Sequence, residues 1–452
     1  MRGETPDLLI RGGRVIDPAS NRDEVCDVLI QDGRIEYVGS GIGLPDGAAE
    51  ISAEGLVVAP GFVDPHCHLR QPGYEYKETI ATGAAAAAAG GFTTVCAMAN
   101  TKPPVDTRAT LETVQEVASA EAAVHVYSLA AITVGLGGKQ LVQMGELSEA
   151  GAVGFSDDGI TLASPAVMRH ALEYAKRFDR PVANHCEDPA LTGDAAMNEG
   201  PVSMRLGLAA TPAQAEEVII ARDLALAELT GGSYHALHVS AARSVDLIRG
   251  AKDRGVNVTA EVTPHHLTLT DEIVAGRWEP IIASLRPYDP VTRVNPPLRS
   301  QEDVRALRDG LASGVIDCIG TDHAPHAGHE KHVEYAEAAP GISGLETAFG
   351  ALMQLVHGGE ISLPQLIERL TQGATVYRLP HGSLAVGAAG DVVVLDPERE
   401  WVVDAAAFRS RGKNSPFHGL TFRGRVLTTI CDGRVVFDLN EESVETVGAL
   451  GI

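Results

Sequence analysis

Two histidines spaced two residues apart, His66 and His68, close an apolar run in GFVDPHCH. Alternate residues of a strand share a face, so both imidazoles can reach one cation while Cys67 points elsewhere. Other apolar runs end in the same way, with His185 in ANHCED, His238 in LHVS and Asp322 in GTDHAPH. Any one of these histidines alone reads as a structural hydrogen-bonding group. Four of them with an aspartate, each at the end of an apolar run, read as a catalytic centre for zinc or a similar divalent ion. Imidazole and carboxylate without thiolate suit such an ion and leave a position for water. A second ion sharing a carboxylate with the first needs another acidic group at such an end, and GAVGFSDDGI offers Asp157 and Asp158. Alternation does not choose between them, and the other member of the pair reads as a turn aspartate capping a helix.

The elements that must position these groups follow from the spacing of the runs. From about Gly61 to about Leu379, short apolar runs alternate with alanine- and leucine-rich helical stretches. The pattern fits a (β/α)8 barrel or a doubly wound sheet. The barrel is favoured because His, Asp and Asn cluster at the run ends, which a barrel brings together at one mouth. The run Ala84–Ala89 reads as an ordinary packed helix, given alanine's helix propensity. The two chain ends resemble each other: DLLIRGGRVID, DVLIQDGRIEYVG and VLTTICDGRVVFD are β-rich runs broken by Gly-Gly or Asp-Gly. Asp-Gly between such runs signals a hairpin, because both central residues of a type I′ turn need positive φ. The expected architecture is therefore an α/β chain: a barrel over 59–379 and a small β-sandwich domain built from 1–58 plus 380–452.

Composition narrows the function classes. With 452 residues, 44% hydrophobic and 21% charged, the chain is expected to fold into more than one packed unit. The formal charge of −24 argues against a nucleic-acid or anionic-membrane partner. An anionic small molecule would need a local cation to hold it against that field. The N-terminal stretch lacks an apolar signal core, so a cytoplasmic location is expected. The six cysteines, Cys26, Cys67, Cys96, Cys186, Cys318 and Cys431, form no C-x-x-C pair and read as small buried apolar residues.

Seven segments in order, GFVDPHCHLRQPG, AMANTKP, GFSDDG, ANHCED, LHVSAA, RVNPPLR and GTDHAPH, resemble the dihydroorotases of the amidohydrolase superfamily, in particular the long, class I type. The resemblance runs through the whole barrel region, and a split β-domain is also that family's architecture. It implies reversible, metal-dependent cyclisation of N-carbamoyl-L-aspartate to L-dihydroorotate, with two zinc ions per subunit. Carried over residue by residue, it implies that His66 and His68 hold the first ion, His185 and His238 the second, and that Asp158 bridges them. Asp322 would contact the first ion and shuttle the proton. Arg70 and Asn100 match positions that hold the substrate carboxylate, and Asn295 and His326 match positions that contact the pyrimidine portion. The AAPGISGLE stretch is similar to a glycine-rich substrate loop, which places main-chain contacts near Gly341.

Two features set this chain apart from neighbouring cyclic amidases such as dihydropyrimidinases and allantoinases. Those commonly bridge their metals with a carbamylated lysine, and GAVGFSDDG has none. Arg70 also follows the His pair, where a carboxylate-bearing substrate would need a planar bidentate cation. A metal-free scaffold for aspartate carbamoyltransferase is the reading from another class, and the full set of ligand residues argues against it. Association of a catalytic subunit with that transferase stays open, and a homodimer is the default for a soluble enzyme. The sequence departs from the family in LRQPG for LREPG, in AMANT for AMPNT, and in lacking Pro-Phe near Gly341. His265 and His266 are expected behind the ligands or in packing, and His323, His329 and His332 in loops or at the surface. Trp278 and Trp401 read as packing residues. The stretch 280–295 is expected to form a mobile loop over the mouth.

Overall fold

Strand β1 (Leu8–Asp17) pairs antiparallel with β2 (Arg22–Gln31), which pairs with β3 (Arg34–Gly39). These strands belong to a computed structural model that describes residues 7–277 and 285–440. Strands β4 (Ala49–Ser52) and β5 (Val57–Pro60) lie parallel to β1 along its other edge. The Gly-Gly of the first run does not break it. Gly12, at φ 71°, sits in a bulge where the β1–β2 register shifts between Ile10 and Gly13, and one ten-residue strand continues through it.

A single residue, Gly61, then separates β5 from β6 (Phe62–Cys67). Strand β7 (Phe92–Ala97) follows, then β8 (His125–Ser128), β9 (Phe155–Ser156) and β10 (Val182–Asn184). A short parallel pair, β11 (Met197–Asn198) and β12 (Ala210–Thr211), forms an excursion before β13 (Tyr234–Ala236), β14 (Val258–Val262) and β15 (Cys318–Ile319). The parallel ladders run β6-β7-β8 and β9-β10-β13-β14-β15. Isolated bridges, Ala130 to Phe155 and Cys67 to His323, join their ends, so eight parallel strands close into a barrel rather than a doubly wound sheet.

Every residue of β6 and β7 is buried, as expected of strands covered on both faces. Helix α1 (Ile80–Ala89), holding the alanine run, starts at a reciprocal Thr79–Thr82 capping box and buries Gly83, Ala84 and Ala86–Ala88. Its small side chains allow close approach to β7.

The last strands, β16 (Val392–Val402), β17 (Thr421–Cys431) and β18 (Arg434–Asp438), return to the N-terminal sheet through β16–β5 pairing. The full order is β18-β17-β16-β5-β1-β2-β3, with β4 beside β1. Residues from both ends, among them Ile10, Val28, Ile35, Val392, Val394 and Ile430, form one apolar cluster. Both Asp-Gly turns have the expected positive φ, 50° and 75° at Asp32–Gly33 and 49° and 73° at Asp432–Gly433. Among the described residues, no helix is long and apolar enough to cross a membrane.

Candidate metal centre

Six side chains converge at the C-terminal mouth of the barrel. His66 lies in β6 and His68 just beyond it; Asp158 follows β9, His185 follows β10, His238 follows β13 and Asp322 follows β15. All six are buried. His238 and Asp322 sit at φ 31° and 44°, and Arg70 at φ 63°, a region sparsely populated by non-glycine residues. Such conformations cost on the order of 1–3 kcal/mol each and concentrate where function needs them.

The donor atoms have spacings suited to cations. Ligand bonds of about 2.0–2.1 Å at tetrahedral angles put neighbouring donors about 3.3–3.4 Å apart. Asp158 Oδ2 lies 3.4 Å from His66 Nε2 and 3.3 Å from His68 Nε2. Asp322 Oδ1 lies 3.5 and 3.0 Å from the same two nitrogens. On the other side of the carboxylate, Asp158 Oδ1 is 3.4 Å from His238 Nε2 and 3.6 Å from His185 Nδ1. Those two ring nitrogens face each other at 2.9 Å. One carboxylate thus directs an oxygen into each of two donor clusters. Both His66 Nε2 and Asp158 Oδ1 are buried without a hydrogen-bond partner, the condition a bound cation would relieve. The residues fit divalent metal ions.

Two of the histidine donors, His66 and His185, are biased toward their protonated forms. Burial disfavours charge on His185, but the neighbouring carboxylates of Asp158 and Glu187 prevail and raise it to about 10. His66 is likewise held above its ordinary value, with burial outweighed by the charges of Glu261, Asp158 and Asp322. Burial opposes ionisation of Asp322, yet His66 and the hydrogen bond with His68 hold its carboxyl below the usual range. Metal binding therefore displaces protons.

Of the aspartate pair, Asp157 turns away. Its carboxylate accepts from Ile132 N at 2.7 Å and Thr133 N at 3.0 Å and pairs with the Thr133 hydroxyl, fixing the loop after β8. Behind the ligands stand carboxylates that the sequence pattern did not single out. Glu261, in β14, meets His66 Nδ1 at 2.5 Å and His235 Nε2 at 3.1 Å, and accepts from His238 N at 3.2 Å. Asp64 accepts from Thr321 N at 2.8 Å and Thr321 Oγ1 at 2.6 Å, tying β6 to the strand end that carries Asp322. Glu187 meets His185 Nε2 at 2.9 Å. The available signal was an acidic residue inside an otherwise apolar run, as in VTAEV.

The rim residues lie around this centre. Arg70 Nε donates to Pro325 O at 3.2 Å and its terminal nitrogen approaches His326 Nε2 at 3.4 Å. Among the described residues, no carboxylate lies within ion-pair range of this guanidinium. Burial, reinforced by Arg70, lowers His326 to about 3, so its imidazole is neutral. Asn100 joins His68 Nδ1 at 2.9 Å through its side-chain oxygen and donates to Asp158 O at 3.0 Å. Asn295 Nδ2 donates to the Glu187 carboxylate. Gly341 has φ 150°, and a Cβ there would meet Ala324 O at 2.7 Å and His326 Cδ2 at 3.0 Å. Asn414, from the β16–β17 connection, donates to Ala324 O and Gly341 O and accepts from His326 N, holding this part of the rim together.

A family model described as Dihydro-orotase-like matches residues 55–244. A dihydroorotase of Anaeromyxobacter dehalogenans is 51% identical over 95% of this chain and 98% of its own length. One from Syntrophus aciditrophicus is 46% identical over 95% of this chain and 99% of its own. The chain belongs to the dihydroorotase family. Its architecture is shared with the L-hydantoinase (dihydropyrimidinase) of Arthrobacter aurescens, at TM-score 0.84 and 25% identity over 96% of both chains.

Gln71, one of the departures from the dihydroorotase pattern, has a role in place: its side-chain oxygen accepts from Ile80 N at 3.0 Å at the start of α1. His265 and His266 are buried, and His266 bonds to Thr263 Oγ1 and Pro296 O. His323 corrects the expectation of a loop or surface residue. It is buried against Glu78 and Ser410, with its Nδ1 facing Gly344 N, because it follows Asp322 directly into the barrel closure. His329 and His332 are exposed, and Trp401 packs edge-on against Phe422 under Arg425. All six cysteines are buried and unpaired. Trp278 and the first part of the expected 280–295 loop lie outside the described residues. The described part is fastened: Lys331 Nζ donates to Pro290 O and Arg293 O, each at 3.0 Å, and Tyr288 OH donates to Leu206 O at 2.9 Å.

Proposed function

We propose that the chain is a zinc-dependent dihydroorotase that interconverts N-carbamoyl-L-aspartate and L-dihydroorotate at the barrel mouth. The observation that carries the substrate assignment is Arg70, two residues past His68, a half-buried guanidinium with no carboxylate in ion-pair range among the described residues. It supplies the local cation that an anionic ring needs on a chain of net charge −24. A neutral ring has no use for it.

Two zinc ions per subunit are the stoichiometry this reading carries, supported by the two-sided placement of Asp158. His66 and His68 would hold one ion, His185 and His238 the other, with Asp158 between them and Asp322 completing the first. When bound, the ions would lower the pKa of a water toward neutrality and polarise the ring amide carbonyl. In the hydrolytic direction Asp322 takes the proton of the attacking water and delivers it to the departing ring nitrogen. In the biosynthetic direction the same carboxyl, held below the usual range by the histidines, must first take up the proton that ring closure consumes. Arg70 binds the substrate carboxylate, with Asn100 beside it. Asn295, neutral His326 and the main chain near Gly341 receive the ring's amide edges.

The same proposal divides the chain into a small β-domain, 1–58 plus 380–452, and a catalytic barrel, 59–379. The turn from sheet to barrel at Gly61, just past the end of β5, and the return at β16 support a division of this kind. A cytoplasmic homodimer is the assembly it carries, with association with aspartate carbamoyltransferase left open.

The test is Arg70→Met assayed on L-dihydroorotate. The expected result is a large rise in KM with a smaller change in kcat. Saturation behaviour equal to that of the unaltered protein would remove the carboxylate clamp from the account.

A further inference from the structure

A second set of donors meets at the opposite end of the barrel, where strands begin. His125 is the first residue of β8, Asp391 immediately precedes β16, and His381 lies in the connection leading to it. Asp391 Oδ2 is 3.2 Å from His125 Nε2 and 2.9 Å from His381 Nδ1. Asp432, in the β17–β18 turn, places Oδ1 3.6 Å from the same His125 nitrogen. The two imidazole rings are 4.4 Å apart. The other nitrogen of His381 is engaged by the Tyr127 hydroxyl at 2.9 Å, the kind of outer contact that fixes a ligand's tautomer and orientation. A cavity of about 400 Å³, lined in part by His125, Cys431, Asp432 and Arg434, borders the His125 and Asp432 side of this cluster.

We propose that His125, His381 and Asp391, with Asp432 as fourth donor, form a structural site for zinc or a similar divalent transition ion that fastens the two-ended sheet to the base of the barrel. Two imidazoles and two carboxylates are a donor set suited to such an ion. Three donor separations of 2.9, 3.2 and 3.6 Å scatter around the tetrahedral edge of about 3.3–3.4 Å. His125 Nε2 lies 3.3 and 3.2 Å from the two Asp391 oxygens, longer than the about 2.7–2.9 Å of a charge-assisted hydrogen bond. The longer contact is confined to His125: Asp391 Oδ2 meets His381 Nδ1 at 2.9 Å and Oδ1 accepts from Asp432 N at 2.9 Å. The donors come from β8, the 381–391 connection and the β17–β18 turn. One ion would therefore join the barrel to the C-terminal strands, and its binding energy would add to folding stability.

The test compares zinc content by elemental analysis after zinc saturation and dialysis, for the unaltered full chain, His125→Gln and His381→Gln. Each variant is expected to hold one zinc equivalent fewer per chain than the unaltered protein, with dihydroorotate turnover unchanged. Zinc should also raise Tm less in the variants. Should His381→Gln fail to fold, the partly exposed His125→Gln carries the comparison alone. Equal zinc content in the unaltered protein and the folded variants would overturn the proposal and leave a hydrogen-bonded clamp. The difference between proteins is read independently of how many ions the barrel mouth holds, so failure here is distinct from failure of the metal centre.

Discussion

Replacing Glu261 by Gln isolates the contribution of a carboxylate that touches no substrate. Its Oε1 lies 2.5 Å from His66 Nδ1 and accepts from His238 N, while Oε2 lies 3.1 Å from His235 Nε2. A glutamine keeps the shape but has one acceptor oxygen. With that oxygen toward His66 and His238, the amide NH2 faces His235 Nε2. His235 can shift its proton to Nδ1, because Thr259 Oγ1 stands 2.8 Å away and accepts it. The packing is thus retained and the expected loss of Tm is small. The negative charge behind His66 is lost, and with it the push that makes His66 a basic ligand. Removing such an outer partner commonly weakens metal binding by about 10–100-fold, which is about 1.4–2.8 kcal/mol. The assay is competition for zinc against a chromogenic chelator, with circular dichroism to verify folding. Zinc affinity should fall in that range, and turnover should recover at saturating zinc. Unchanged affinity in a folded Glu261→Gln protein would refute the claim that Glu261 acts through His66.

Asp322→Asn should retain zinc through His66, His68 and Asp158 but lose turnover by about 10²–10⁴-fold, the usual contribution of a positioned acid–base group; near-normal turnover would remove the proton-shuttle role. Glu346 gives a stability prediction. Burial, only partly offset by N–H groups of Arg409 and Ser410, raises its carboxyl to about 7, above the ordinary 4.5. Its folded form therefore binds the proton more tightly, so its stabilising contribution is full below 4.5 and is lost as pH rises through 7. In denaturant titrations Glu346→Gln should gain stability relative to the unaltered protein as pH rises across that window, and parallel pH profiles would contradict the assignment.

What was legible in the sequence followed from short-range geometry. The i, i+2 spacing of His66 and His68, the His and Asp endings of later runs, and the two Asp-Gly hairpins each depend on a few adjacent residues. The polar run ends favoured a barrel over a doubly wound sheet, because a closed cylinder gathers them all at one mouth. What stayed hidden depends on register between distant strands. Asp157 and Asp158 are adjacent and alike, and only the loop after β8, which takes the Asp157 carboxylate, separates their roles. Glu261 stands behind His66 because β14 lies between β13 and β15. His323 looked like a loop residue because the partners that bury it, Glu78 and Ser410, are 245 and 87 residues away. Gly12 and Gly13 read as a break, but a bulge accommodates them within one strand.

A metal centre that acts on a carboxylate-bearing ring should lose its activity with its metal. Its most direct test follows the ultraviolet absorbance of L-dihydroorotate with chelator-stripped protein as zinc is added back, with dihydrouracil and allantoin run alongside. The expected result is no turnover without metal, restoration by zinc, and activity confined to dihydroorotate. Zinc-restored turnover of the neutral rings with none of dihydroorotate would contradict the substrate assignment, and undiminished turnover in the stripped protein would contradict the metal centre.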